Sequence, residues 1–180
     1  MIEIRLHGRG GMGTVKAAEV IVHARVAEGG YGNSIPFFGF ERQGAPVTSF
    51  VRLDDKPIRP KTQVYEPNCV IVLDSTLRQA VDIFEGIRNE GILVINTPEA
   101  PEAIAAPDCI RTIATVDASE LSFRMIGKAI PNTAMLGAFI KCTGWVSIDV
   151  VADRVAALWG DINAAIVREA YKSTRIFRRP

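Results

Sequence analysis

The sequence predicts an α/β fold: three layers, α/β/α, with a largely parallel (mixed) sheet and a helical C-terminal part. Three observations carry this. Residues 69–74 and 92–96 are short, continuous apolar runs, the pattern of strands buried on both faces. The stretch between them is read as a helix capped by Ser75, so the three pieces form a β–α–β repeat with parallel pairing and a right-handed crossover. Near the start, an apolar-rich extended run at residues 2–6 breaks into four glycines, Gly8, Gly10, Gly11 and Gly13, before a helical pattern begins. The chain of 180 residues shows no internal repeat and no low-complexity linker, so residues 1–180 are read as a single domain.

The elements follow in order. Residues 2–6 are the first strand. Residues 14–27 are the first helix, with Val15, Ala18, Val22 and Val26 on its apolar side and Lys16, Glu19 and His23 on a polar stripe. Glycines at 29 and 30 end it. Residues 31–46 hold three glycines and two prolines beside three phenylalanines and a tyrosine. They are read as a short strand over 33–36 and a compact loop presenting Glu41, Arg42 and Gln43, because aromatics beside charges in a Gly-rich loop suit a functional surface. Residues 47–53 form a strand, 54–57 a turn, and 58–64 a short edge arm limited by Pro60.

Ser75 is the expected cap of a helix over residues 76–88. Residues 97–108 are a Pro/Ala-rich connection with a short helix after Pro101, and 110–116 another strand. Helices are expected over 117–126, from Asn132 or Thr133 to 143, from Ser147 to 159, and over 161–171. The basic tail at 175–180 is expected to be loosely held.

Composition narrows the function. Apolar residues make up 48% and charged residues 23%, an ordinary soluble mix, and the net charge of +1 gives no pull toward nucleic acid or an anionic membrane. No apolar run is long enough to cross a bilayer, and the N-terminus lacks a signal-peptide pattern, so the expected location is cytoplasmic. Cys69, Cys109 and Cys142 lie far apart, without a Cys-x-x-Cys signature, and are read as reduced core cysteines. No metal-ligand cluster and no catalytic set emerges. His7 has no nameable partner, so it is read first as a packing or hydrogen-bonding residue and second as a proton carrier.

Gly8, Gly10 and Gly13 spell G-x-G-x-x-G between a strand and a helix, a Rossmann-like signature. Glycine lets backbone N–H groups approach a ligand, and the helix start adds free N–H groups, so the place suits a phosphate or another anion. The acid that should end the second strand and take a ribose is absent, which weakens the reading as a site for NAD or FAD. A Walker loop fails, since Thr14 stands where Lys is required. Arg9 inside the loop, and Arg42 in the second Gly-rich loop, suit a phosphate or carboxylate of a ligand or of a neighbouring subunit. The two loops are expected to meet at one edge of the sheet.

His7-Gly8-Arg9-Gly10-Gly11-Met12-Gly13 and Pro36-Phe37-Phe38-Gly39-Phe40-Glu41-Arg42-Gln43-Gly44-Ala45-Pro46-Val47 closely resemble the gamma subunit of pyruvate/2-oxoacid:ferredoxin oxidoreductases. Three further blocks agree: Asp55-Lys56-Pro57-Ile58-Arg59, Tyr65-Glu66-Pro67, and the stretch Ile130-Pro131-Asn132-Thr133-Ala134-Met135-Leu136-Gly137-Ala138-Phe139. Together they cover nearly the whole chain. The resemblance implies an enzyme complex that cleaves a 2-oxoacid, pyruvate first among them, with thiamine diphosphate. It releases CO2, passes the acyl group to coenzyme A, and sends two electrons through 4Fe-4S clusters to ferredoxin. It places the diphosphate and the clusters in partner subunits of alpha, beta and delta type, and makes this chain non-catalytic alone.

By motif position, Arg42, Gln43 and Asn132 resemble coenzyme A contacts, with Gly8, Arg9, Gly10, Gly11 and Gly13 as part of the same functional edge. Arg42 suits a phosphate, and Gln43 and Asn132 suit the pantetheine amides. Two positions depart from the family: Met12 stands where members usually carry Gln, and Gln43 where relatives are often basic. The alternatives are a stand-alone NAD/FAD-binding oxidoreductase, a gamma subunit acting on a branched-chain or aryl 2-oxoacid, and a purely structural scaffold.

Overall fold

Alternation along the first strand divides the molecule. β1 (Ile2–Arg9) turns Ile4 and Leu6 to one side of the sheet and Glu3, Arg5 and His7 to the other, and all five are buried. The computed structural model describes residues 1–38 and 44–180; the expectations placed on Glu41, Arg42 and Gln43 lie outside the described residues.

Seven strands form one sheet in the order β2-β3-β1-β4-β5-β6-β7. They are β1, β2 (Tyr31–Phe38), β3 (Pro46–Asp54), β4 (Cys69–Val72), β5 (Gly91–Asn96), β6 (Ile110–Val116) and β7 (Arg175–Arg178). The run β1-β4-β5-β6 is parallel, as the apolar segments predict. β3 pairs antiparallel with β1 and with β2, and β7 pairs antiparallel with β6, so the sheet is mixed. β2 is longer than the expected 33–36. The tail is not loose: β7 pairs Ile176 with Ala114 and Phe177 with Ile113, and Arg175 donates to the carbonyls of Pro98 and Glu99.

One face of the sheet carries α1 (Thr14–Ala27), α2 (Ala118–Ile126), α3 (Asn132–Thr143), α4 (Ile148–Trp159) and α5 (Asp161–Ser173), packed on Ile4, Leu6, Ile71 and Val94. Phe139 on α3 is fully buried there, a burial worth roughly 1.5–3 kcal/mol. The buried side of α1 is Ala17, Ala18, Val20, Ile21 and Ala24; of the expected stripe only Ala18 is fully buried, and Val26 is 53% exposed. Small alanines bring this helix close to the sheet, so the larger valines fall to its flank. His23 is exposed, as expected. Ser147 caps α4, and Gly144 closes α3 in a left-handed conformation at φ 63°.

The opposite face has no α-helix among the described residues. The expected helix over 76–88 is replaced by a 3-10 turn, Ser75–Gln79, followed by irregular backbone. Asp74, not Ser75, caps that turn, its carboxylate accepting from the Thr76 N–H at 2.9 Å. The reason lies in the sheet. Buried Arg5 donates to the carbonyls of Ile83 (3.0 Å) and Glu85 (2.7 Å), acceptors that a helix would have spent on itself. Gly86 then turns at φ 67° directly against the Tyr65 carbonyl, where a side chain has no room.

Residues 58–64 likewise form no strand: buried Arg52 takes the carbonyls of Thr62 (2.7 Å) and Gln63 (2.8 Å). Its Nε meets Glu3 at 2.8 Å, and Arg88 reaches the other Glu3 oxygen at 3.0 Å. Two arginines on the sheet thus hold the connections that cover its second face. Farther along, Val70, Val72, Leu93 and Ile95 pack beneath Leu77 and Ile83 in a separate apolar cluster.

Candidate functional site: a glycine loop where two helix starts converge

The glycine stretch lies at the carboxyl end of β1. Gly8 and Arg9 still belong to the strand, so the turn is confined to Gly10–Gly13. Gly8 has no room for a Cβ because the Thr14 hydroxyl occupies that space. Gly11 and Gly13 sit at φ 92° and 78°, a region L side chains rarely adopt. The Met12 N–H closes the turn onto the Arg9 carbonyl at 3.1 Å. The Met12 side chain packs against the helical core.

The two Gly-rich segments do meet, though at the strand ends inside the sheet rather than at its lateral edge. Gly10 N–H donates to the Ala45 carbonyl at 2.9 Å, and Gly44 N–H to the Gly10 carbonyl at 3.4 Å. Arg9 is absorbed by this junction. Its Nε lies 2.5 Å from Asp74 Oδ2, and its other nitrogens donate to Thr76 Oγ1 (2.9 Å) and the Gly44 carbonyl (3.2 Å). Burial raises the Asp74 carboxyl, but hydrogen bonds from Thr76 and the Arg9 charge outweigh it, leaving its pKa below the ordinary carboxylate range. Asp74 is the residue that sequence reasoning did not single out. Its only local signal was an acid ending an apolar strand.

Asn132 comes to the same place from the far end of the chain. It opens α3, is buried, and its amide nitrogen lies where a Gly13 side chain would stand. Its Oδ1 accepts the Thr133 N–H at 2.8 Å. The starts of α1 and α3 therefore converge. Neither has a side-chain cap or an acid in its first turn. The hydroxyls of Thr14 and Thr133 are buried there without a hydrogen-bond partner. Two unneutralised helix N-termini, an amide donor and glycine backbone form a local field that favours an anion. A groove of about 300 Å³ over the α1 start is lined by Gly10, Gly11, Gly13, Thr14 and Lys16. Gly8, Arg9, Gly10, Gly11, Gly13 and Asn132 are thus brought together, whereas Arg42 and Gln43 lie outside the described residues.

On the other face, His7 does have a partner: its Nε2 accepts from Arg5 Nε at 3.1 Å. Burial and the Arg5 charge lower its pKa to about 4, so the ring is neutral at pH 7. Burial pushes the Cys142 thiol up to about 11 and the Cys69 thiol well above its ordinary value, so neither is a thiolate at neutral pH. Among the described residues, no three His, Cys, Asp or Glu side chains group as metal ligands, and no helix is long and apolar enough to cross a membrane.

The geometry argues against a dinucleotide fold. The strand after α1 is β2, parallel to β1 but two places away with antiparallel β3 between them, so the glycine loop sits in a split βαβ unit and not in the adjacent-strand unit of a dinucleotide fold. The acid beside the loop, Asp74, ends β4's side of the junction and holds Arg9.

Residues 3–173 match the family described as pyruvate ferredoxin/flavodoxin oxidoreductase. The common subunit gamma of the pyruvate/ketoisovalerate oxidoreductases of Pyrococcus furiosus is 45% identical over 98% of this chain and 99% of its own length. The gamma subunit of the NADH-dependent phenylglyoxylate dehydrogenase of Aromatoleum evansii is 47% identical over 83% of this chain and 78% of its own. The crystal structure of pyruvate oxidoreductase subunit PORC from Thermotoga maritima superposes with a TM-score of 0.85 at 32% identity, covering 97% of each chain. The chain belongs to the pyruvate ferredoxin/flavodoxin oxidoreductase family, as one of its gamma-type subunits.

Proposed function

We propose that residues 1–180 act as one gamma-type domain that forms part of the coenzyme A site of a cytoplasmic 2-oxoacid:ferredoxin oxidoreductase. Pyruvate is the first substrate to test. Subunits of alpha, beta and delta type would hold the thiamine diphosphate and the 4Fe-4S clusters, and ferredoxin would take the electrons through them. This chain is not catalytic alone: its work is binding and assembly.

The observation that carries the reading is the convergence of two uncapped helix starts at Gly13 and Asn132. Coenzyme A brings phosphates and two amides, the groups such a place recognises. The glycine loop supplies backbone N–H groups, Asn132 an amide, and Arg42 and Gln43 are assigned to the same ligand by motif position. The 2-oxoacid itself is left to other subunits. Relatives of nearly equal identity are named for pyruvate and ketoisovalerate and for phenylglyoxylate, so a branched-chain or aryl 2-oxoacid is the second reading.

The test is kinetic, in the assembled enzyme with a viologen acceptor and a 2-oxoacid panel. Asn132→Ala and Arg42→Ala should each raise KM for coenzyme A roughly tenfold or more while changing kcat little, since each removes a ground-state hydrogen bond. Unchanged KM values would leave a structural scaffold. Tight binding of NAD(H) by the lone chain would instead support the stand-alone oxidoreductase.

A further inference from the structure

A second cavity lies away from the converging helix starts, on the face of the sheet that carries no α-helix among the described residues. It measures about 410 Å³ and opens beside β1, β3 and the connections that Arg5 and Arg52 hold. Its walls include the rings of Phe37, Phe50 and Tyr65, and its charged lining is Arg5, Asp82 and Glu85. We propose that this cavity is a socket for an arginine side chain of another subunit of the complex. The proposal rests on the multi-subunit reading above.

Charge comes first. His7 is neutral, so among the described residues one cation faces two carboxylates and the lining keeps one negative charge. Arg5 spends its Nε–H on His7 and its Nη2 on the Ile83 and Glu85 carbonyls. Asp82 and Glu85 are both exposed and form no salt bridge among the described residues. A phosphate or carboxylate ligand would be repelled here; a cation is attracted.

The walls select which cation. Phe37 is 51% and Tyr65 69% exposed, large aromatic surfaces at the mouth of one cavity. Aromatic faces next to carboxylates suit a guanidinium, which stacks on a ring while its edge donates to an acid. An ammonium is more strongly hydrated and gains less from the rings. The same pairing of a buried arginine with aromatic and acidic neighbours recurs at the energetic centres of protein interfaces. His7 fits the scheme. With Nε2 accepting from Arg5, its donor is Nδ1–H, which has no acceptor among the described residues; a peptide carbonyl beside the entering arginine would provide one.

Two experiments on the co-expressed complex test the socket. In the first, Tyr65→p-benzoylphenylalanine is irradiated in the assembled enzyme. The expected product is a crosslink to another subunit at a peptide containing arginine. Crosslinking to no other subunit, or to coenzyme A instead, would overturn the proposal. In the second, Asp82→Asn is combined with Glu85→Gln; Asn at 82 keeps the acceptor for the Phe84 N–H. The affinity for the other subunits should fall tenfold or more at low salt, with a flatter salt dependence, measured at a temperature where circular dichroism shows the lone variant chain still folded, because Arg5 also loses the two carboxylates whose charge offsets its burial. An unchanged affinity would sink the socket but leave the gamma-subunit reading standing. A wild-type chain that joins no complex at all would sink both.

Discussion

The two faces of this sheet are covered by opposite means. On one, five helices bury an apolar surface, and Phe139, Ile21 and Leu6 belong to one buried apolar cluster. On the other, Glu3, Arg5, His7 and Arg52 stand on the same strands, and the covering chain is held by hydrogen bonds from guanidinium groups to carbonyls. Helices satisfy their own backbone and need only apolar contact. Irregular segments leave carbonyls unsatisfied, and buried arginines supply the missing donors. The helical face should therefore fail by losing packing, and the arginine face by losing charge balance.

The largest effect should come from breaking that balance. Arg52→Leu leaves Glu3 buried with only half-exposed Arg88 as a partner and strips the Thr62 and Gln63 carbonyls of their donor. Urea unfolding should show a loss of about 3–5 kcal/mol, the usual cost of stranding a buried charge. Phe139→Ala on the other face should cost a similar amount, about 3–5 kcal/mol, through a cavity. Only the first should be partly rescued by a second substitution, Glu3→Leu, which removes the stranded charge. If Arg52→Leu costs under about 1 kcal/mol, the contrast between the faces is wrong.

Acid should separate the faces next. The unfolded chain protonates a histidine near 6.5, whereas folded His7 takes a proton only at about 4. The unfolded state therefore binds more protons between these values, and stability falls as pH drops through that window, by about 3 kcal/mol. His7→Gln keeps an acceptor for Arg5 and has no proton to gain. Urea melts across pH 4–7 should show a flatter profile for the variant than for the wild type; parallel profiles would mean that His7 is charged or solvated in the native state.

The same contrast explains what could be read from the sequence. The apolar strands β4 and β5 follow from continuous apolar runs and the helices of the packed face largely from their capping residues, because both signals are written locally. Residues 76–88 also read as a helix, with Ser75 as its cap, and Leu77 and Ile83 are buried. What prevents a helix is Arg5, about eighty positions away in sequence, and no local pattern announces it. The tail was misread for a related reason: Arg-Ile-Phe-Arg looks like a basic end until β6 offers an edge for it to pair with. At the site, the glycine loop and Asn132 were legible as motifs. Their contact was not, nor was the capture of Arg9 by Asp74 across 65 positions.

That capture supplies the smallest and most discriminating prediction. Sequence reasoning offered Arg9 as a ligand group, but its guanidinium is engaged by Asp74, Thr76 and Gly44. If Arg9 is a strut that fixes the two Gly-rich segments to β4, Asp74→Asn should cost only about 1 kcal/mol, because the pair is partly solvated and Asn still accepts from Thr76. The sign with pH is definite. The folded pKa of Asp74 is depressed, so its contribution is present above the ordinary carboxylate range and is lost as pH falls through the depressed value. Wild type and variant should therefore differ at neutral pH and converge in acid. In the assembled enzyme, KM for coenzyme A should move less than about threefold for Asp74→Asn, against roughly tenfold for Asn132→Ala. A larger shift for Asp74→Asn would mean that Asp74 orients Arg9 for the ligand, and the polar junction would then belong to the binding site as much as the converging helix starts do.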